Sequence, residues 1–328
     1  MHAPDGFLNA GTAVATGAIS VGTVGVALRQ VKETVRDKQV PLAGIAAAFI
    51  FAAQMFNFPV AAGTTGHLLG GALAAILLGP HMGALVVTIV VGVQALVFAD
   101  GGLTALGYNV LNMAIVPAYG GYAMFRMFRR MVPKNGGGVV AATGLSALVS
   151  VVLSAMAFSI EWLFGATAPV SFAEVFTAMV GVHFLIGVGE AVISALAVGA
   201  VMSSRPDLVQ GASDLERSQL DGSRLVPIRT FVLGGLVAAL FFGAVVSQFA
   251  VDNPDGLESV AGETGFAGSE QDHALSESLF ADYATAGLDN QSLSLAIAGA
   301  AGTLIVLAVG WGVFFAVRDR DGRRRAPV

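Results

Sequence analysis

Cysteine is absent from all 328 residues, which excludes disulfides and thiolate metal ligands and restricts any metal site to nitrogen and oxygen donors. Charge is scarce too: 12% of residues are Asp, Glu, Lys or Arg, against about a quarter in an ordinary soluble domain. The only lysines are Lys32, Lys38 and Lys134, and none closes a GxxxxGK[ST] phosphate loop. HExxH, GxSxG and paired-carboxylate constellations are likewise missing. The expectation is a chain that is not an enzyme, does not hydrolyse ATP itself and, with a net charge of −5, has no nucleic-acid partner.

What the chain has in abundance is apolar length. Hydrophobic residues make up 55% of it, with a mean hydropathy of +0.76. Apolar runs recur at the ~20-residue length that spans a bilayer. The predicted fold class is all-α, a polytopic membrane protein surrounded by lipid, with nine apolar segments. These are 8–28, 41–58, 63–79, 82–98, 108–128, 139–160, 172–202, 230–250 and 292–317. The third is short and rich in glycine, which predicts a broken or bent helix starting with His67 at its outer end. All 17 basic residues fall in four stretches, 29–38, 126–134, 205–229 and 318–325. Nine crossings place every one of these on a single side. By the positive-inside rule the N-terminus is expected outside and the C-terminus in the cytoplasm of a cell-membrane protein. The exterior face then holds the first seven residues, the turn at Asn57-Phe58-Pro59, the loop at Asp100, a loop around Glu161 to Ser171, and residues 251–291.

The opening MHAPDGF lacks the basic start of a secretory signal, with Asp5 where Lys or Arg would stand. A bulky second residue resists removal of the initiator, so Met1 is expected to stay. A free α-amine, the amide nitrogen of residue 2 and the imidazole of His2 can wrap one metal ion in fused chelate rings. Three nitrogens held this way lie nearly in a plane and leave one corner for a fourth ligand. His67, in Gly63-Thr64-Thr65-Gly66-His67-Leu68-Leu69-Gly70-Gly71, sits among small residues that allow close backbone approach. Planar all-nitrogen coordination favours Ni(II) or Cu(II), with Co(II) possible.

Three stretches in order, MHAPDGF, GTTGHLLGG and ADGGLTALGYNVLNMAIV, resemble the CbiM/NikM family. Its members are substrate-specificity components of energy-coupling-factor transporters for cobalt and nickel, the former serving cobalamin biosynthesis. The resemblance runs from residue 1 to about 203 and departs from the family pattern at Thr65 and Tyr108 without removing a ligand. It implies a seven-helix component whose metal ligands are Met1, His2 and His67, with Co2+ or Ni2+ as the transported substrate. It also implies a transmembrane T component (CbiQ/NikQ-like) and cytoplasmic ATPases (CbiO/NikO-like) as partners. Gln54, Asn57, Asn109 and Asn112 then look like groups that hold the N-terminal loop or orient His67, although bonds between helices are an alternative.

Residues 1–203 are expected to form this metal-binding component and 204–229 a polar cytoplasmic linker. Residues 230–328 are expected to form two helices around an exterior loop that carries nine carboxylates and neither Lys nor Arg. That loop opens with Asn253-Pro254-Asp255-Gly256-Leu257-Glu258, which resembles the PDGLE domain. Two helices around an outer loop are also similar to the small CbiN/NikN subunits. The loop reads mainly as a solvated face.

Glu190 lies inside an apolar span, where an unpaired charge costs at least ~2.5 kcal/mol. A polar contact supporting the site and a bond fixing helix packing both remain open for it. His183 reads as a structural hydrogen bond, and His81 and His273 as a turn residue and an exposed loop residue. A rival reading is a stand-alone proton-coupled metal transporter with Glu190 as proton carrier.

Overall fold

The computed structural model describes residues 1–35, 39–61, 63–215 and 225–318. The basic residues at 36, 38, 217, 224 and 320–325, with Glu216 and Ser218 of the expected linker, lie outside the described residues. The fold is all-α. Its helices are α1 (Ala10–Thr34), α2 (Gln39–Gln54), α3 (Gly71–Leu78), α4 (Pro80–Val97), α5 (Leu106–Asn109) and α6 (Val116–Phe128). These are followed by α7 (Gly136–Gly165), α8 (Phe172–Ser204), α9 (Ile228–Ala244), α10 (Gly256–Thr264) and α11 (Gln291–Val317). A π-helical turn, Val110–Ile115, joins α5 to α6 in one continuous rod. Six of the helices are long and apolar enough to cross a membrane.

Lipid offers no hydrogen bonds, so each span has to satisfy its own backbone. The helices accordingly start on side chains that cap them. Asn9, Asn135 and Asn290 accept from the amides of Thr12, Gly138 and Leu293. Ser171 and Glu174 cap α8 reciprocally. Pro80 opens α4, where its missing N–H costs nothing.

The third apolar segment is not helical throughout. Residues 63–70 precede the helix, with Thr65–Gly66 paired antiparallel to Phe58–Pro59, and α3 begins only at Gly71. His67 therefore precedes the helix instead of opening it. Gly70 turns the chain into α3 with a φ of 81°, and its Cα faces Ile50 so closely that a Cβ would lie 2.7 Å from that side chain. Only glycine supplies both the conformation and the clearance.

One further expectation is corrected. Glu161 lies in the last turns of α7, buried, and not in an exterior loop, because the helix continues to Gly165. The start of the expected polar linker is packed: Leu208, Val209, Ala212 and Leu215 are buried, and Arg129 pairs with Asp214 at 2.8 Å. Its apolar residues lie under the ends of α3, α6 and α7, which pulls the short polar stretch against the bundle.

The last two long helices pack into the bundle. Helix α11 packs along α2 and α4, and α9 along α2 and α11. At the α9–α11 crossing a Cβ on Gly299 would stand 1.9 Å from the Gly243 carbonyl oxygen, so the two backbones touch. Residues 1–9, 57–67, 98–105, 166–171 and 250–290 meet at one end of the bundle. The turns at His81, Arg129 and Gly211 gather at the other.

Candidate metal centre

The first nine residues form a strap that is held almost residue by residue. Asn109 clasps Ala3, accepting from its amide and donating to its carbonyl, both at 2.9 Å. Tyr108 donates to the Pro4 carbonyl. The Asp5 carboxylate accepts from the amides of Leu103, Thr104 and Ala105 and from the Thr104 hydroxyl. Gly102 passes so close to Asp5 that a Cβ there would lie 2.3 Å from its backbone nitrogen. Gly6, at φ 95°, lets the strap pair with Gln271, and Thr167 and Gly165 fix residues 6–9.

This anchoring delivers the α-amine of Met1 to His67. The nitrogen lies 2.8 Å from His67 Nε2, and the rings of His2 and His67 stack 5.1 Å apart. Adjacent corners of a square with metal–nitrogen bonds of about 2.0 Å are themselves about 2.8 Å apart. His67 Nδ1 donates to the Leu68 carbonyl at 3.0 Å, which leaves Nε2 as the lone pair facing the amine. Among the described residues no three His, Asp or Glu side chains converge at metal-binding distance.

His2 is held by a chain of hydrogen bonds. Its Nε2 donates to Gln94 Oε1 at 3.0 Å, Gln94 Nε2 donates to the Tyr283 hydroxyl at 3.1 Å, and Tyr283 donates to Asp100 at 2.6 Å. Asp100 only accepts, so every donor direction follows, and His2 Nδ1 is left as a lone pair. That is the nitrogen the six-membered chelate ring uses. Nδ1 lies 3.3 Å from the other Asp100 oxygen. Burial lowers the His2 pKa from 6.5 to about 4, outweighing the opposing pull of Asp100, so the ring is neutral at physiological pH. Ala99, Asp282 and Tyr283 have φ between 51° and 56°, a left-handed conformation costing of order 1–3 kcal/mol each at non-glycine residues.

Asp255 also reaches the site. Its carboxylate pairs with the Met1 ammonium and lies 3.5 Å from His67 Nε2. Burial opposes that charge, yet the Met1 ammonium holds the carboxyl well below the usual carboxylate range. Beside these groups opens a cavity of about 690 Å³, lined in part by His2, His67, Asp100 and Asp255.

Of the residues singled out in the sequence, Met1, His2 and His67 come together. Gln54 donates to the Leu69 carbonyl and Asn109 holds Ala3. Glu190 accepts from the amides of Leu69 and Gly70 at 2.6 and 2.9 Å, bracing the stretch that carries His67. Asn57 lines the cavity, and its carbonyl accepts from Val251. Asn112 differs: it donates to Glu161 at 2.7 Å, because the π-turn directs it to α7 and away from the strap. His183 donates from Nδ1 to the Met179 carbonyl. Gln94, Asp100, Asp255 and Tyr283 were not anticipated. The available signals for Asp255 were its place in the motif that resembles the PDGLE domain and the Asp255-x-x-Glu258 pattern of a capping box, which the structure contains.

Residues 2–208 match the family described as CbiM, cobalt uptake substrate-specific transmembrane region, and residues 229–319 match the PDGLE domain. A candidate fused nickel transport protein NikMN of Archaeoglobus fulgidus is 34% identical over 95% of this chain and 98% of its own length. The cobalt transport protein CbiM of Geobacter sulfurreducens is 31% identical over 64% of this chain and 61% of its own. A crystal structure of a transition metal transporter superposes with a TM-score of 0.56 at 32% identity, covering 63% of this chain and 96% of the other. A truncated form gives 0.55 at 33% identity, covering 62% and 98%. The chain therefore belongs to the CbiM family of cobalt and nickel transport proteins and carries a PDGLE domain after its CbiM region.

Proposed function

We propose that this protein captures Co(II) or Ni(II) outside the cell through the Met1 amine, the His2 amide and Nδ1, and His67 Nε2. It then delivers the ion as the substrate-specificity component of an energy-coupling-factor transporter. The observation that carries this reading is the 2.8 Å approach of the amine to His67, beside a His2 whose Nδ1 lone pair is free of a proton. The N-terminal strap is ligand and lid at once. Membership of the CbiM family supports a T component and two ATPases as the partners that supply the energy. The orientation follows the basic residues, with the site end outside. Both Glu190 oxygens bind backbone amides, which supports a bracing role for this residue over that of a proton carrier in a stand-alone transporter.

The test is titration of Ni(II) and Co(II) into the full chain in nanodiscs, beside a form with one extra residue ahead of Met1. Tight binding with a planar Ni(II) absorption band in the native form, and its loss in the extended form, is expected. Equal binding by both forms overturns the reading. The tighter of the two ions names the substrate.

A further inference from the structure

Each residue of the PDGLE segment has a contact at the metal centre or a part in holding one. The Pro254 carbonyl accepts from the amide of Thr65 at 2.9 Å, two residues before His67. Asp255 pairs with the Met1 ammonium. Gly256 lies against α8, where a Cβ would stand 2.6 Å from Ile186 Cδ1 and 3.0 Å from His183 Cε1. Leu257 is fully buried, and its amide donates to Asp255 Oδ1 at 2.7 Å. Glu258 closes the capping box by accepting from the Asp255 amide at 3.0 Å. The two Asp255 oxygens thus divide their work: Oδ1 caps α10, and Oδ2 faces the amine and His67.

We propose that Asp255 is the counter-ion of the metal centre, supplied by the PDGLE domain and positioned by the rest of that segment. A divalent ion bound through one anionic amide nitrogen carries a single net positive charge, the same as the ammonium it replaces. Oδ2 therefore faces one positive charge in both the empty and the loaded site, in surroundings where an unbalanced charge is costly. The domain completes the site, which makes it part of metal capture and not a cover that must leave before the ion enters. His183 shows how tightly the segment is seated. Its Nε2 is buried without a partner, and the space between it, Met1 and His67 is closed by Gly256.

This inference rests on the N-terminal chelate proposed above, and the test separates the two. Asn caps a helix as well as Asp does, so Asp255→Asn removes the charge and keeps the cap. Ni(II) titration of the full chain in nanodiscs is expected to show at least tenfold weaker binding for Asp255→Asn, and faster release into a chelator. Gly256→Ala keeps the carboxylate but lifts it off the site, and is expected to weaken Ni(II) binding in the same direction. Should Asp255→Asn fail to fold, Gly256→Ala carries the test. Asp255→Asn binding as tightly as the unaltered chain, or more tightly, overturns the proposal and leaves the chelate standing if the N-terminally extended form still fails to bind. An extended form that binds normally overturns the chelate instead.

Discussion

The hydroxyl of Tyr283 fixes the tautomer of His2 although the two residues do not touch. Tyr283 donates to Asp100 and so accepts from the amide of Gln94, which turns the Gln94 oxygen towards His2 Nε2. Burial and the neighbouring Asp100 carboxylate hold that hydroxyl well above its ordinary pKa, so it remains a donor. Tyr283→Phe removes the link and frees Gln94 to turn over. The expected outcome is a two- to tenfold loss of Ni(II) affinity, the size of one net hydrogen bond. Calorimetric titration of the variant against the unaltered chain checks it.

Acid should loosen the strap in a defined range. His2 has a docked pKa of about 4 and an undocked value of 6.5, so protons bind the released strap first. The stabilisation from burying the neutral ring is complete above pH 6.5 and is lost as pH falls from there to about 4. Hydrogen exchange of residues 1–9 in the metal-free chain is expected to accelerate over this interval. A flat profile between pH 6.5 and 4 counts against a buried neutral His2.

Asp5 holds the strap at its middle. Asp5→Ala leaves the amides of Leu103, Thr104 and Ala105 without their acceptor, at a cost of roughly 2–4 kcal/mol. A lower melting temperature and weaker Ni(II) binding are expected together, since the same bonds place the amine. A stability loss with unchanged affinity would show that the amine finds His67 without the strap.

Glu190→Gln keeps one acceptor oxygen for two backbone amides, those of Leu69 and Gly70. The stretch carrying His67 should lose about 1–3 kcal/mol of support. Weaker metal binding with an unchanged pH profile of uptake is expected in vesicles holding the full transporter. A profile that shifts with this substitution would return Glu190 to the role of proton carrier.

The α9–α11 crossing depends on bare backbone. Gly299→Val would drive a side chain into the Gly243 carbonyl, and a drop in melting temperature is expected, with loss of the bound form at working temperature. An unaltered melting curve would mean that the two helices are not joined as described.

The features that follow from bulk composition were legible in the sequence. The apolar segments read from hydropathy correspond to the described helical rods, the third only over Gly71–Leu78, because lipid leaves few alternatives to a helix. Met1, His2 and His67 were legible because amine, amide and imidazole chemistry is local to two residues, and one glycine-rich stretch advertises the third. Asp255 and Tyr283 were not legible. Each lies in a loop of ordinary acidic and polar residues, and its value comes only from where α9 and α11 hold that loop. For Asn112 the structure shows the alternative, a bond between helices. Three residues from Asn109, it would share that residue's face in an α-helix, but the π-turn between them redirects it to Glu161.

Met1 and Asp255 stand 254 positions apart in the chain. Asp255 follows α9 in the chain, so the ribosome makes it only after helices α1 to α9. A chain that stalls before this point presents the Met1 amine and His67 with no Asp255 beside them. Under the capture proposed above, the charge balance of the site waits on a residue of a late loop.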